Sequence, residues 1–168
     1  MKIEMTEDSS RLDKMIKAVK VLKGTEVEVG LPESVGGHLQ FILAVQEHGS
    51  PVMHIPPRPV VRPGLNREET KSAMREAIGE ALNSAIQGDE AGILAGFEAA
   101  GQAGANGIRA YIDEGISPTN APITVHGGWL YNRVGKKGVK VSGKGFNKPL
   151  YDTGTLYRAF SYEVKAKG

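Results

Sequence analysis

Between Ser9 and Lys23 the apolar residues Leu12, Met15, Ile16, Val19 and Leu22 recur at steps of three and four, the spacing of one helical face. Gly24 stands where such a helix ends. The period then changes. In TEVEVGLP, Val27, Val29 and Leu31 alternate with Glu26, Glu28 and Gly30, which predicts a half-buried strand closed by Pro32. Leu39, Ile42, Leu43 and Gln46 predict a short helix at about 38–47, running into the turn Glu47-His48-Gly49-Ser50-Pro51.

The periodicity stops in HIPPRPVVRPGL, residues 54–65, which holds four prolines. Proline fixes φ and removes an N–H donor, so this stretch is expected to be neither central strand nor helix. It predicts an extended arm over about 51–65, carrying Arg58 and Arg62. Two long helices should follow. Asn66 is placed to cap the first, with Glu69 three residues on as in a capping box. Its stripe runs Ala73, Met74, Ala77, Ile78, Ala81, Leu82, Ala85 and Ile86, within about 67–87. The second spans about 90–114, with Ile93, Leu94, Phe97, Ala100, Ile108, Tyr111 and Ile112 turned inward. It also carries Gly92, Gly96, Gly101, Gly104 and Gly107, each costing about 1 kcal/mol against alanine inside a helix. That cost implies close approach of another backbone, within the chain or in a neighbouring subunit.

After a loop from Pro118 to Pro122 come short β-like pieces. Val139 and Val141 alternate with Lys140 and Ser142 as in an edge strand, where outward lysines discourage stray pairing. Asp152 or Thr153 can cap a short helix at about 154–159, with Gly154 allowing a tight approach. Phe160, Tyr162 and Val164 then alternate as a last strand. The order predicts one α+β domain over 1–168, a mainly antiparallel sheet with two long helices packed on one face.

Composition adds limits. The chain has 168 residues, enough for one core, and a net charge of only +2. Cysteine is absent, which excludes disulfides and thiolate metal sites. The start, MKIEMTEDSS, is unlike a signal peptide, and no run of about 18 apolar residues predicts a membrane span. The charge is uneven, however. No acidic residue lies between Glu114 and Asp152, while Arg133, Lys136, Lys137, Lys140, Lys144 and Lys148 do. The basic Gly/Lys loop at about 133–148 reads either as a solvated loop or as a surface for DNA or an acidic partner. Trp129, with Tyr131 and Arg133, can stack bases, anchor a protein interface or seat the loop.

No catalytic, cofactor or metal constellation emerges. GVKVSGKG, residues 138–145, imitates a phosphate-binding loop but has Gly145 where a Mg²⁺-ligating hydroxyl is needed, strand inside it and no helix after it. His38, His48, His54 and His126 are scattered. The carboxylate pairs Glu68-Glu69, Asp89-Glu90 and Asp113-Glu114 sit at helix ends.

Two stretches carry a resemblance. EHGSPVMHIPPRPVVRPGL, residues 47–65, and KPLYDTGTLYRAFSYEV, residues 148–164, resemble in order and spacing two segments of the bacteriophage tail-completion and head–tail joining (neck) proteins of long-tailed phages. The chain departs from that pattern at Val60, usually Phe, and Ala159, usually Ser. The resemblance implies a non-enzymatic virion subunit, assembling as a ring with the hexamer among the options. The ring would complete the tail or join it to the head, beside connector and tail-tube proteins and around passing DNA. It implies assembly in the host cytoplasm and residence at the head–tail junction, with no membrane partner. On this reading Pro56, Pro57, Arg58, Pro59 and Arg62 form a stiff subunit contact, with the arginines against acidic groups of the same or the next subunit. Lys136, Lys137, Lys140, Lys144 and Lys148 face the DNA channel or a partner, and Asp152, Thr153 and Gly154 form a structural cap. The alternative is a nucleic-acid-binding protein using the basic aromatic segment 129–148.

Overall fold

In a computed structural model, which describes residues 6–131, 138–151 and 153–167, the first and last strands of the chain lie side by side. Strand β1 (Thr25–Gly30) pairs antiparallel with β4 (Ser161–Ala166), in a register running from Thr25↔Ala166 to Gly30↔Ser161. The alternation read in both segments sets its faces. Val29 and Tyr162 are partners on the side turned to the helices, and Glu26, Glu28, Glu163 and Lys165 share the other. There the Lys165 ammonium lies 2.6 Å from Glu28, which holds its pKa above the usual lysine value.

Helix α1 (Thr6–Lys23) leads into β1, and α2 (Gly37–His48) leads to the arm. The long helices α4 (Glu68–Gln87) and α5 (Glu90–Glu114) form a hairpin about Gly88, a left-handed C-cap (φ 75°). Helix α5 lies against β1–β4, with α4 packed on α5. A second antiparallel pair, β2 (Gly127–Tyr131) with β3 (Gly138–Ser142), stands apart as a ribbon, and α7 (Thr155–Ala159) precedes β4. The α+β class with antiparallel pairing and two long helices holds, its strands divided into two two-stranded sheets.

The glycines of α5 answer to neighbours inside the chain. A methyl group on Gly96 would lie 2.7 Å from the Ala81 methyl and 2.8 Å from the Ala77 carbonyl oxygen of α4. One on Gly101 would lie 2.5 Å from the Tyr162 ring, and one on Gly104 would press on Val29. Distances this short are not tolerated between packed atoms, so the missing side chains are what lets α4 and the sheet close on α5.

Four expectations are corrected. The arm is not extended throughout: Val61–Leu65 forms a single helical turn, α3, in which Pro63 stands in the first turn, where no N–H donor is needed. Asn66 does not cap α4. Its N–H closes α3 on the carbonyls of Arg62 and Pro63, and the N-cap position falls to Arg67, whose guanidinium pairs with Glu114. That pair raises the Arg67 pKa and lowers that of Glu114. Another one-turn helix, α6 (Pro122–His126), stands where the end of the loop and the first of the β-like pieces were expected, with Pro122 at its first position. Finally, α1 seats Ala18 on Ala85 and Ile93, leaving Leu12, Ile16 and Val19 exposed; Leu82, Ile86 and Leu94 are exposed too.

Gly64 of α3 is a close structural glycine on the α5 side of the arm: a methyl there would sit 2.6 Å from Ile108 Cα, backbone against backbone. Gly64→Ala should therefore cost about 3 kcal/mol in urea unfolding. Gly79, in α4 with nothing within 4 Å, should gain up to about 1 kcal/mol on Gly79→Ala. Equal effects at the two sites would contradict this packing.

Candidate functional site

The two stretches that carry the resemblance meet in one core. Val60 of the arm packs with Leu156 and Phe160 from the C-terminal stretch and with Ile108, Ile112 and Ile116 of α5 and the residues just beyond it. The arm is then fixed by polar contacts at both ends. Near the end of α2, Glu47 Oε1 accepts the Val60 and Val61 N–H groups at 2.7 and 2.9 Å, so a carboxylate takes up free donors at the start of α3. The Arg58 N–H donates to the Gln46 carbonyl at 2.6 Å.

Arg58 itself is 8% exposed. Its Nε donates to the Pro118 carbonyl at 2.7 Å and its Nη2 to the Thr119 carbonyl at 3.0 Å. Burial draws its pKa down from the usual arginine value. This corrects the expectation that Arg58 meets acidic groups: its acceptors are carbonyls of its own chain. The planar fork suits two successive carbonyls, and the chain spends it on joining the arm to the loop before α6. Pro56, Pro57, Pro59 and Arg62, by contrast, are exposed and form the outer side of the arm.

The basic candidates divide. Lys136 and Lys137, with Arg133, lie outside the described residues. Lys140 is exposed on β3, directly across the ribbon from the half-exposed Trp129. Lys144 is not held ready for a partner: its ammonium donates to the carbonyls of Lys148 and Tyr151 and lies 5.0 Å from the Phe146 ring centre. Lys148 is likewise engaged, 2.8 Å from Asp113 Oδ1 and 4.2 Å from the Tyr151 ring centre. These contacts fold the 143–151 segment on itself and pin it to the end of α5.

Asp113 has two partners, Lys148 and Tyr157, whose hydroxyl donates to Oδ2 at 2.7 Å. The Lys148 hydrogen bond first, and Tyr157 second, hold the Asp113 carboxyl below its usual range. The same bond pushes the Tyr157 hydroxyl up to about 12. Of the cap candidates, Asp152 lies outside the described residues. The Thr153 hydroxyl accepts the Thr155 N–H at 3.3 Å, and Gly154 takes the left-handed φ of 74° that starts α7.

The sequence reading missed a groove of about 740 Å³ between α2, the turn and arm at 53–58, the 120–124 stretch, the β2–β3 ribbon and the 144–156 segment. Its floor is largely apolar, with Leu39, Ile42, Leu150 and Leu156, and no acidic residue lines it among the described residues. Asn120 Nδ2 is buried at its edge without an acceptor among the described residues. No local pattern marks this groove, because its walls come from five separated segments.

Among the described residues there is no cluster of three or more metal-ligating side chains, and no helix is long and apolar enough to cross a membrane. No family model, curated protein or solved structure matches the chain.

Two outcomes are expected. Glu47→Ala, which orphans two N–H groups, should lower unfolding free energy by about 3 kcal/mol, and Arg58→Ala, which removes a buried guanidinium and its hydrogen bonds to the Pro118 and Thr119 carbonyls, by about 2 kcal/mol, so folding suffers with any assembly. Glu47→Gln, which keeps an acceptor, should cost less. In absorbance titration, one of the five tyrosines should ionise near 12 and return toward the ordinary value of 10 in Asp113→Asn. The sign follows from each shift. The lowered Asp113 contributes stability above the ordinary carboxylate range, lost as pH falls through its folded pKa. The raised Tyr157 contributes stability below about 10, lost as pH rises toward about 12. An unchanged titration in Asp113→Asn would rule out the contact.

Proposed function

We propose that this protein is a structural subunit of the bacteriophage neck, which completes the tail or joins it to the head as part of a ring around the DNA channel. One observation carries the reading: the stretches 47–65 and 148–164, which resemble the two segments of that family, share a single core through Val60, Leu156 and Phe160. A resemblance arising by chance in two distant stretches has no reason to fall on segments that pack on each other, and here they do, although the chain departs from the pattern at Val60 itself. Here Glu47, at the start of the first stretch, also grips its far end at Val60 and Val61.

The role is architectural. The exposed prolines of the arm offer a stiff surface that loses little entropy on docking, which suits a head-to-tail contact that closes by rotation. The exposed Lys140 is suited to the channel side, where a weak, sequence-independent attraction lets DNA pass. No residue is assigned a catalytic role or a cofactor.

A second reading is favoured by Trp129 and Lys140, which face each other on one exposed side of the ribbon, an aromatic and a cation placed to meet a base and its phosphate. Salt-titrated DNA binding separates the two, since a monomer with tight, steeply salt-dependent affinity belongs to the second. The direct experiment is electron microscopy of particles assembled without this gene. The neck reading expects separate DNA-filled heads and tails, or tails of abnormal length. Normal joined virions would defeat it.

A further inference from the structure

The largest unexplained feature of the surface is apolar. Leu12, Ile16 and Val19 of α1, with Leu82 and Ile86 of α4, are between 39% and 59% exposed. The two sets are neighbours, because Ala18 of α1 packs on Ala85 of α4, and Leu82 and Ile86 flank Ala85 along the helix. On α1 the spacing is four and then three, the seam pattern of a helix that pairs with another helix. Single exposed leucines are ordinary; five large side chains in one strip mark an interface.

Charge tells which partner fits. Asp13 and Lys20 lie on the same flank of that seam, three residues before Ile16 and four after it, and both are exposed. Neither makes an ion pair with another described residue. A partner helix running antiparallel, related by a two-fold axis near Ile16, would bring its own Lys20 to Asp13 and its own Asp13 to Lys20. The face is thus complementary to itself, as an isologous contact requires.

We propose that a second copy of this chain docks on this face, α1 against α1 in antiparallel sense, with Leu12, Ile16 and Val19 in the seam and Asp13–Lys20 pairs at its sides. Eighteen residues make α1 about 27 Å long. With α4 alongside, the strip is about 20 Å wide, or about 500 Å² per copy. Standard interfaces bury about 800 Å² per partner, so the contact is weak and reversible. It stands independently of the neck reading, whose subunit contacts lie on the arm.

The test is sedimentation equilibrium of the full chain over a concentration series, with circular dichroism melts as the folding control. The wild type should show a reversible dimer. Ile16→Lys should abolish it without changing the melt, because Ile16 is half exposed. Asp13→Lys and Lys20→Glu should each weaken it about tenfold, and the two together should restore it. A monomer at every concentration would overturn the proposal. So would an assembly indifferent to Ile16→Lys, or a double variant no better than the singles. A ring that survives Ile16→Lys would leave the neck reading standing while removing this contact. Ile16→Lys that instead loses binding to vesicles of anionic lipid, with no dimer in the wild type, would assign the face to a membrane surface and overturn the self-contact.

Discussion

Three elements approach α5 more closely than a methyl group would permit, a fourth presses close on it, and the rest of the molecule is arranged around that fact. Helix α4 closes on Gly96, β4 on Gly101, β1 on Gly104, and α3 turns its own Gly64 to Ile108. Each glycine weakens α5 as an isolated helix, so the sequence gives up helix propensity to gain contact. The exchange is favourable because packing at van der Waals distance from several sides gathers far more dispersion and burial than the helix loses. It also joins the ends of the chain, since the sheet resting on these glycines is made of its first and last strands.

The arm depends on the same helix. Its prolines make it stiff but leave it few donors, so it cannot hold itself by ladder hydrogen bonds. Glu47, Arg58 and the insertion of Val60 among Ile108, Ile112, Leu156 and Phe160 do that instead. The consequence for function is a division of faces. The inner side of the arm is used up in the fold, and its outer side, with Pro56, Pro57, Pro59 and Arg62, is left exposed. A similar division runs through the basic segment, where Lys144 and Lys148 shape the loop and Lys140 faces outward.

Periodicity was a good guide where a segment's structure is set by its own burial pattern. The bounds of α5 at Glu90 and Glu114, the change of period at β1 and the alternation in β4 are all visible in the order of apolar residues. It was a poor guide where a distant group decides. Arg58 turns inward because its acceptors, at Pro118 and Thr119, lie some sixty residues on, and nothing near Arg58 announces them. Asn66 looks like a cap until α3, a turn that proline content argued against, takes up its N–H. Leu12, Ile16 and Val19 show their helical face clearly, but a period cannot tell whether that face is covered by its own chain or offered to another. The groove was not legible at all, being a product of five segments.

The central claim is that the proline-rich arm is part of the core, anchored at Glu47 and Val60, with only its outer side exposed. Native-state amide hydrogen exchange tests it most directly. The Val60 and Val61 amides should exchange as slowly as those of Ile108 and Ile112, and Glu47→Ala should release them selectively. Exchange of Val60 and Val61 in the wild type at the rate of an open loop would contradict the account, and the resemblance of the two stretches would then lose its structural basis.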